Sequence, residues 1–274
     1  MRYHVVHSSE YIYTTPAALS LNEACLTARQ TPFQKVLRHG FQTDPRADYH
    51  RDRTDWFGNH WRLYAFEKPH KRLEIVSTHE LEVFRGPFSG DGAADGYEPF
   101  LHPSPFIRPC EDFASYGRSS FPPGGDRVEG LADLSRRIYR DFAYDPKATE
   151  IGTPVEEFFR KRRGVCQDYS HLMLAVLRSL GIPARYVSGY LNTLPPPGKE
   201  KVFGADASHA WVAAWTVERG WIDFDPTNGI VVGNDHITLA WGRDYGDVTP
   251  LKGVVLGGGT QKLEVKVTVI AQPS

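Results

Sequence analysis

The sequence predicts an α+β protein with an antiparallel, sandwich-like β module at its N-terminal end and a helix-then-strand core behind it. Three observations predict this. Residues 1–84 are dominated by two-residue alternation, helical stripes are confined to residues 126–180, and alternation returns from residue 184 onward. The expected division is a β domain over 1–98 and a core domain over 99–274, with 99–125 an irregular wrap.

Taken in order, Tyr3, Val5 and His7 alternate with His4, Val6 and Ser8, and Tyr11-Ile12-Tyr13 reads as a second short strand before Pro16. Residues 18–27 fit no single period. Residues 34–39, 61–66 and 72–84 read as strands, and Asp55 to Asn59 as a hairpin turn bending at Gly58-Asn59. Residues 88–125 carry repeated Gly and Pro and are expected to be irregular, held to a surface by Phe100, Phe106, Ile107 and Phe113.

Leu131, Leu134, Ile138 and Phe142 form one apolar stripe and predict a helix over 126–142. Thr153-Pro154-Val155-Glu156 reads as the start of a short helix, with Thr153 as its cap. A further helix opens at Cys166, where Leu172, Val176 and Leu180 share a face, and it stops at Gly181 before Pro183. Strands are expected over 184–191, 208–217, 221–225, 252–256 and 262–270.

Hydrophobic residues at 41% and charged residues at 24% are ordinary for a globular protein, and a net charge of −1 gives no basis for a nucleic-acid or anionic-membrane surface. The basic run Arg160 to Arg163 falls at a helix end and reads as structural. Three widely spaced cysteines without paired motifs argue against a disulfide framework or a zinc site, so free thiols in a reducing cytoplasm are expected. No apolar run approaches the ~18 residues of a membrane span. The sequence leaves the oligomeric state open.

Cys166 stands at a helix N-terminus, where unpaired N–H groups and the helix dipole favour thiolate and can hold an oxyanion. A nucleophilic cysteine needs a base and a group to orient that base. His171 lies five residues along the helix, about 140° around its axis, and should point away. His209 opens a strand flanked by the small residues Ala207, Ser208 and Ala210. The next strand ends in Asp225, which a hairpin would bring near His209. Their register, and so whether they share a face, is open. Trp211, Trp215, Trp221 and Trp241 read first as core residues, and alternatively as the lining of a tunnel to the nucleophile.

Gly164-Val165-Cys166-Gln167-Asp168-Tyr169-Ser170-His171, Leu180-Gly181-Ile182-Pro183-Ala184-Arg185-Tyr186, Asp206-Ala207-Ser208-His209-Ala210-Trp211 and Trp221-Ile222-Asp223-Phe224-Asp225-Pro226-Thr227-Asn228 occur in that order. Together they resemble the transglutaminase-like superfamily, in its bacterial branch of cysteine-protease-like proteins. The front of the chain is similar to the N-terminal β region that accompanies that branch. The resemblance implies a papain-like core and a triad of Cys166, His209 and Asp225. It also implies cysteine-dependent acyl transfer on a peptide or protein carboxamide, with water or an amine as acceptor. No cofactor is implied, because no carboxylate cluster stands in for the calcium site of animal transglutaminases. The competing expectation is a non-enzymatic binding module that keeps the fold.

Overall fold

The computed structural model describes residues 1–86, 88–93, 96–193, 204, 206 and 208–272. Its strands are β1 (Arg2–Ala24), β2 (Gln34–Asp44), β3 (Tyr49–Thr54), β4 (His60–Phe66), β5 (His70–Val83), β6 (Ala143–Tyr144), β7 (Arg163–Gly164), β8 (Ala184–Leu191), β9 (Ser208–Thr216), β10 (Gly220–Asp225), β11 (Ile230–Val231), β12 (His236–Gly242), β13 (Leu251–Gly257) and β14 (Gln261–Gln272). Among the described residues, four α-helices lie between the two main groups of strands: α1 (Glu111–Arg118), α2 (Arg127–Asp141), α3 (Val155–Lys161) and α4 (Cys166–Ser179).

β1 organises the first sheet. It is one 23-residue strand running through Pro16, not two short ones. A register break between Ile12 and Ala17 divides it into halves with different partners. The first half pairs with β5 and β14, and the second half with β4 and β13. The alternation read from the sequence is the burial pattern observed: Tyr3, Val5, His7, Ser9, Tyr11 and Tyr13 all face inward. β2 and β3 complete the seven strands at the two edges. The last two strands of the chain therefore belong to the N-terminal sheet and cross the division expected at residue 98. Gly257, Gly258 and Gly259 connect them, all at positive φ, which a side chain would oppose.

The second sheet is antiparallel, in the order β11-β10-β9-β8-β12. α4 packs across β8 and β9 and is itself covered by α1, α2 and α3. Leu172, Met173, Leu174, Ala175, Val176 and Leu177 have no exposed surface, so the helix is buried on every side. Its far end is clamped by buried Arg178, which donates to the carbonyls of Ala184 (2.8 Å), His102 (3.3 Å) and Arg243.

Side-chain amides join the two sheets along β12. Gln34 donates to the Thr238 carbonyl and accepts from its N–H, both at 2.8 Å. Asn59 does the same for Trp241, at 2.8 and 3.0 Å. Each amide mimics a missing strand, so the edge of β12 is satisfied by residues from the other sheet.

The stretch expected to be irregular contains α1. Gly117 lies inside this helix, and a Cβ there would sit 2.5 Å from Val176 Cγ1. The residue that reads as a helix breaker is what allows α1 to approach α4. Phe100, Ile107 and Phe113 are buried as expected. Thr153 does not cap α3. Its hydroxyl accepts from Glu150 N–H at 2.9 Å, and Pro154 occupies the cap.

Candidate functional site

The start of α4 is fixed by an aspartate three residues past the cap. Asp168 Oδ2 accepts the N–H of Val165 at 2.8 Å and the hydroxyl of Thr149 at 2.6 Å. Asp168 returns its own N–H to the Val165 carbonyl at 2.8 Å. Gly164 makes room for this carboxylate, because a Cβ there would lie 2.4 Å from Asp168 Oδ2 and 2.8 Å from Phe158. The order Gly, Val, Cys, Gln, Asp thus has a local reason: it holds Cys166, half-exposed, on the first turn of a rigid helix. The N–H groups of Cys166 and Gln167 have no acceptor within the helix.

The β9–β10 hairpin settles the register that the sequence left open. Phe224 pairs with Val212, so Asp225 lies opposite Trp211 and diagonal to His209 on the same face. His209 Nε2 meets Asp225 Oδ2 at 2.8 Å. With Nε2 so engaged, Nδ1 is the nitrogen left for Cys166. Both residues line one cavity of about 400 Å³. Burial pushes the His209 pKa down, but its bonds to Asp225 and Cys166 and their charges outweigh burial and raise it to about 10.

Asp225 is wholly buried and accepts five hydrogen bonds. Oδ2 receives His209, His236 (3.1 Å) and the Asn228 amide (2.7 Å), and Oδ1 receives the N–H groups of Thr227 (2.9 Å) and Asn228 (3.2 Å). Burial disfavours the charge, yet the two histidines hold the carboxyl far below the usual carboxylate range.

His236 and Asn228 were given no role from sequence. Asn228 had a readable signal, an amide three residues beyond an aspartate in a turn. His236 had none, since it comes from β12, across the sheet. His209, Asp225 and His236 bring possible metal-ligand atoms within 4.8 Å of one another. The two nitrogens are already committed to the carboxylate, which makes the cluster a hydrogen-bond network.

His171 is buried, accepts from Tyr245 N–H at 3.2 Å, and packs on Phe106 and Tyr186. It points away from the cavity, as its helical position requires. None of the four tryptophans lines the cavity. Trp211 donates to Asp223 at 2.9 Å, Trp215 stacks on Tyr97 at 4.0 Å, Trp221 meets Phe100, and Trp241 lies under Arg29 at 3.6 Å. Trp211 packs edge-on against His236 at 5.2 Å, behind the cavity wall, while Tyr97 and the arginines Arg29 and Arg185 hold the other three indoles. The cavity wall is instead built by His7 and Ser9 of β1, Leu263, Val265 and Val267 of β14, and Tyr186 and Tyr245.

Comparison with known proteins agrees with this architecture. Residues 121–226 match the family model of the transglutaminase-like superfamily, and residues 3–82 match that of the bacterial transglutaminase-like N-terminal region. The chain is 34% identical to protein Rv2569c of Mycobacterium tuberculosis, over 98% of this chain and 92% of that one. It is also 34% identical to ML0607 of Mycobacterium leprae, over 98% of each. A protein-glutamine gamma-glutamyltransferase of Pseudomonas aeruginosa is 41% identical over 97 residues, 34% of this chain and 14% of that protein. In three dimensions the chain superposes on a "Putative Cysteine Protease" from Cytophaga hutchinsonii with a TM-score of 0.78 and 20% identity, over 100% of this chain and 92% of that one. The chain belongs to the transglutaminase-like superfamily, joined to a bacterial transglutaminase-like N-terminal region.

Proposed function

We infer that the protein is a cysteine-dependent acyl-transfer enzyme that cleaves carboxamides of peptides or proteins through a thioester, with water as acceptor. The observation that carries this reading is the meeting, at one cavity, of a cysteine on a helix N-terminus and a histidine bound through its far nitrogen to a buried carboxylate.

The geometry supports the following roles. Cys166 thiolate attacks the carbonyl carbon, forming a C–S bond and an oxyanion beside the Cys166 N–H. Collapse breaks the C–N bond, and the leaving amine takes a proton from His209 Nδ1. Water then attacks the thioester and gives a proton to His209, and the C–S bond breaks to free the acid and the thiolate. Asp225 keeps the imidazole oriented and stabilises its charged form. His236 and Asn228 hold Asp225 in turn. The free-thiol chemistry suits a reducing compartment such as the cytoplasm.

Two acceptors compete. An amine would make the protein a cross-linking enzyme, a reading favoured by the local similarity to a gamma-glutamyltransferase. Water is favoured by the cavity, whose wall has none of the tryptophans that would screen a thioester from solvent. The test is incubation with a glutamine-containing peptide library and a fluorescent alkylamine, read by mass spectrometry. Free acid or cleaved peptide, abolished in Cys166→Ala and His209→Ala, supports hydrolysis. Amine incorporation in excess of hydrolysis would transfer the assignment to cross-linking, and no product in any arm would remove the enzyme reading.

A further inference from the structure

β14 has one paired edge and one open edge. Met1 and Val83 exchange backbone hydrogen bonds, at 2.8 Å in each direction. In an antiparallel ladder this directs the odd-numbered residues of β1 toward β5 and its even-numbered residues toward β14. The register of β1 with β14 is unbroken from Arg2–Gln272 to Tyr13–Gln261. The N–H and C=O groups of Leu263, Val265, Val267 and Val269 therefore point away from β1.

At the far end this outward edge is used. Val267 C=O accepts Asp206 N–H at 3.0 Å, and Val269 N–H donates to Asp206 Oδ2 at 2.8 Å. At the near end it is not: no described residue bonds to the outward groups of Leu263 or Val265. The side chains of these two residues, each about half-exposed, line the Cys166 cavity. The bridge at Asp206 lies only three residues ahead of His209, so the unused stretch of edge begins beside the imidazole.

We propose that the substrate peptide binds by adding a strand to the open edge of β14 at Leu263 and Val265, which delivers its carbonyl to Cys166. The substrate class is then an extended, apolar segment such as a chain terminus or an unfolded stretch, because a strand needs both its own backbone groups and alternate side chains free. Leu263, Val265, Leu251 and Pro250 supply an apolar floor for those side chains. The placement rests on Cys166 being the nucleophile.

The test labels Cys166 with acetyl-Leu-Val-Gly chloromethyl ketone, whose carbon forms a bond to sulfur as chloride leaves. Two analogues carry one N-methyl group each, on the valine or on the glycine nitrogen. Each labelling rate is divided by the rate with iodoacetamide, which needs no strand. Neighbouring amides of a docked strand face opposite ways, so one methyl group should slow labelling about tenfold and the other by less than about twofold. In Val265→Pro, which removes an outward N–H and spares the ladder to β1, that alternation should vanish. Equal rates for all three peptides in the wild type would overturn the proposal without recourse to any variant, as would alternation that persists in Val265→Pro. Failure of the acyl-transfer reading has its own mark: iodoacetamide would then modify Cys166 no faster than the exposed Cys110, with or without His209.

Discussion

Gly164→Ala tests whether Asp168 sets the position of Cys166. The added Cβ would lie 2.4 Å from Asp168 Oδ2, so the carboxylate must retreat by about 1 Å to reach ordinary contact. That movement stretches the bonds to Thr149 (2.6 Å) and Val165 (2.8 Å) beyond hydrogen-bond length. Two bonds to a buried carboxylate, at about 1.5 kcal/mol each, predict a loss of about 3 kcal/mol. For a protein of this size the melting temperature should fall by about 6–12 °C. The second Gly164 contact, with Phe158 at 2.8 Å, adds a packing cost that does not involve Asp168. A double-mutant cycle separates the two. In an Asp168→Ala background the penalty of Gly164→Ala should shrink to the packing part, with a coupling of about 3 kcal/mol. Differential scanning fluorimetry gives the stabilities, and iodoacetamide alkylation followed by mass spectrometry reports the position of Cys166. Additive penalties, or a Gly164→Ala protein that melts within 2 °C of wild type and alkylates Cys166 at the wild-type rate, would refute the reasoning.

The remaining predictions concern charge and its support. Because the folded His209 pKa is raised to about 10, above the ordinary 6.5, its stabilising contribution is fully present below about pH 6.5 and is lost as pH rises through about 10. The gap in melting temperature between wild type and His209→Gln should narrow across that window, and a constant gap would contradict it. His7, His79 and His171 are buried, and desolvation lowers their pKa values to about 4, 3 and 3. Their contribution is complete above about pH 6.5 and is lost as pH falls, by about 1.4 kcal/mol per histidine per pH unit. Urea midpoints from pH 6.5 to 4.5 should show this, and His171→Gln should flatten the slope by about one third of the histidine share. His236→Ala removes one of the five bonds to Asp225 and should lower the melting temperature by about 5 °C. It should also slow Cys166 alkylation at pH 7, and a rate equal to wild type would show that the other four bonds orient the pair unaided.

What the sequence disclosed depended on how far apart the interacting residues lie along the chain. His209 and Asp225 belong to one short hairpin, and so their proximity was readable, although their shared face awaited the Phe224–Val212 register. Cys166 was legible because the stop at Gly181 and the stripe of Leu172 and Val176 define a buried helix around it. α1 was hidden by Gly117, whose role is close approach and not helix breaking. The tunnel-lining alternative for the tryptophans fell away because residue type does not reveal partners such as Arg29 and Tyr97, which hold Trp241 and Trp215 outside the cavity. The cavity wall was out of reach for the same reason: Ser9 faces Val265 across a strand pair whose members stand at opposite ends of the chain.

That last pairing also orders events during synthesis. Cys166, His209 and Asp225 have all been translated before Gln261, the first residue of β14, is added. Until β14 is made and finds β1, the nascent chain carries Cys166 against an unfinished wall, and the edge proposed to receive substrate does not exist. Closing the sheet is a long-range step of the kind that folds late. The order of translation therefore makes the wall of the Cys166 cavity one of the last parts of the molecule to be completed.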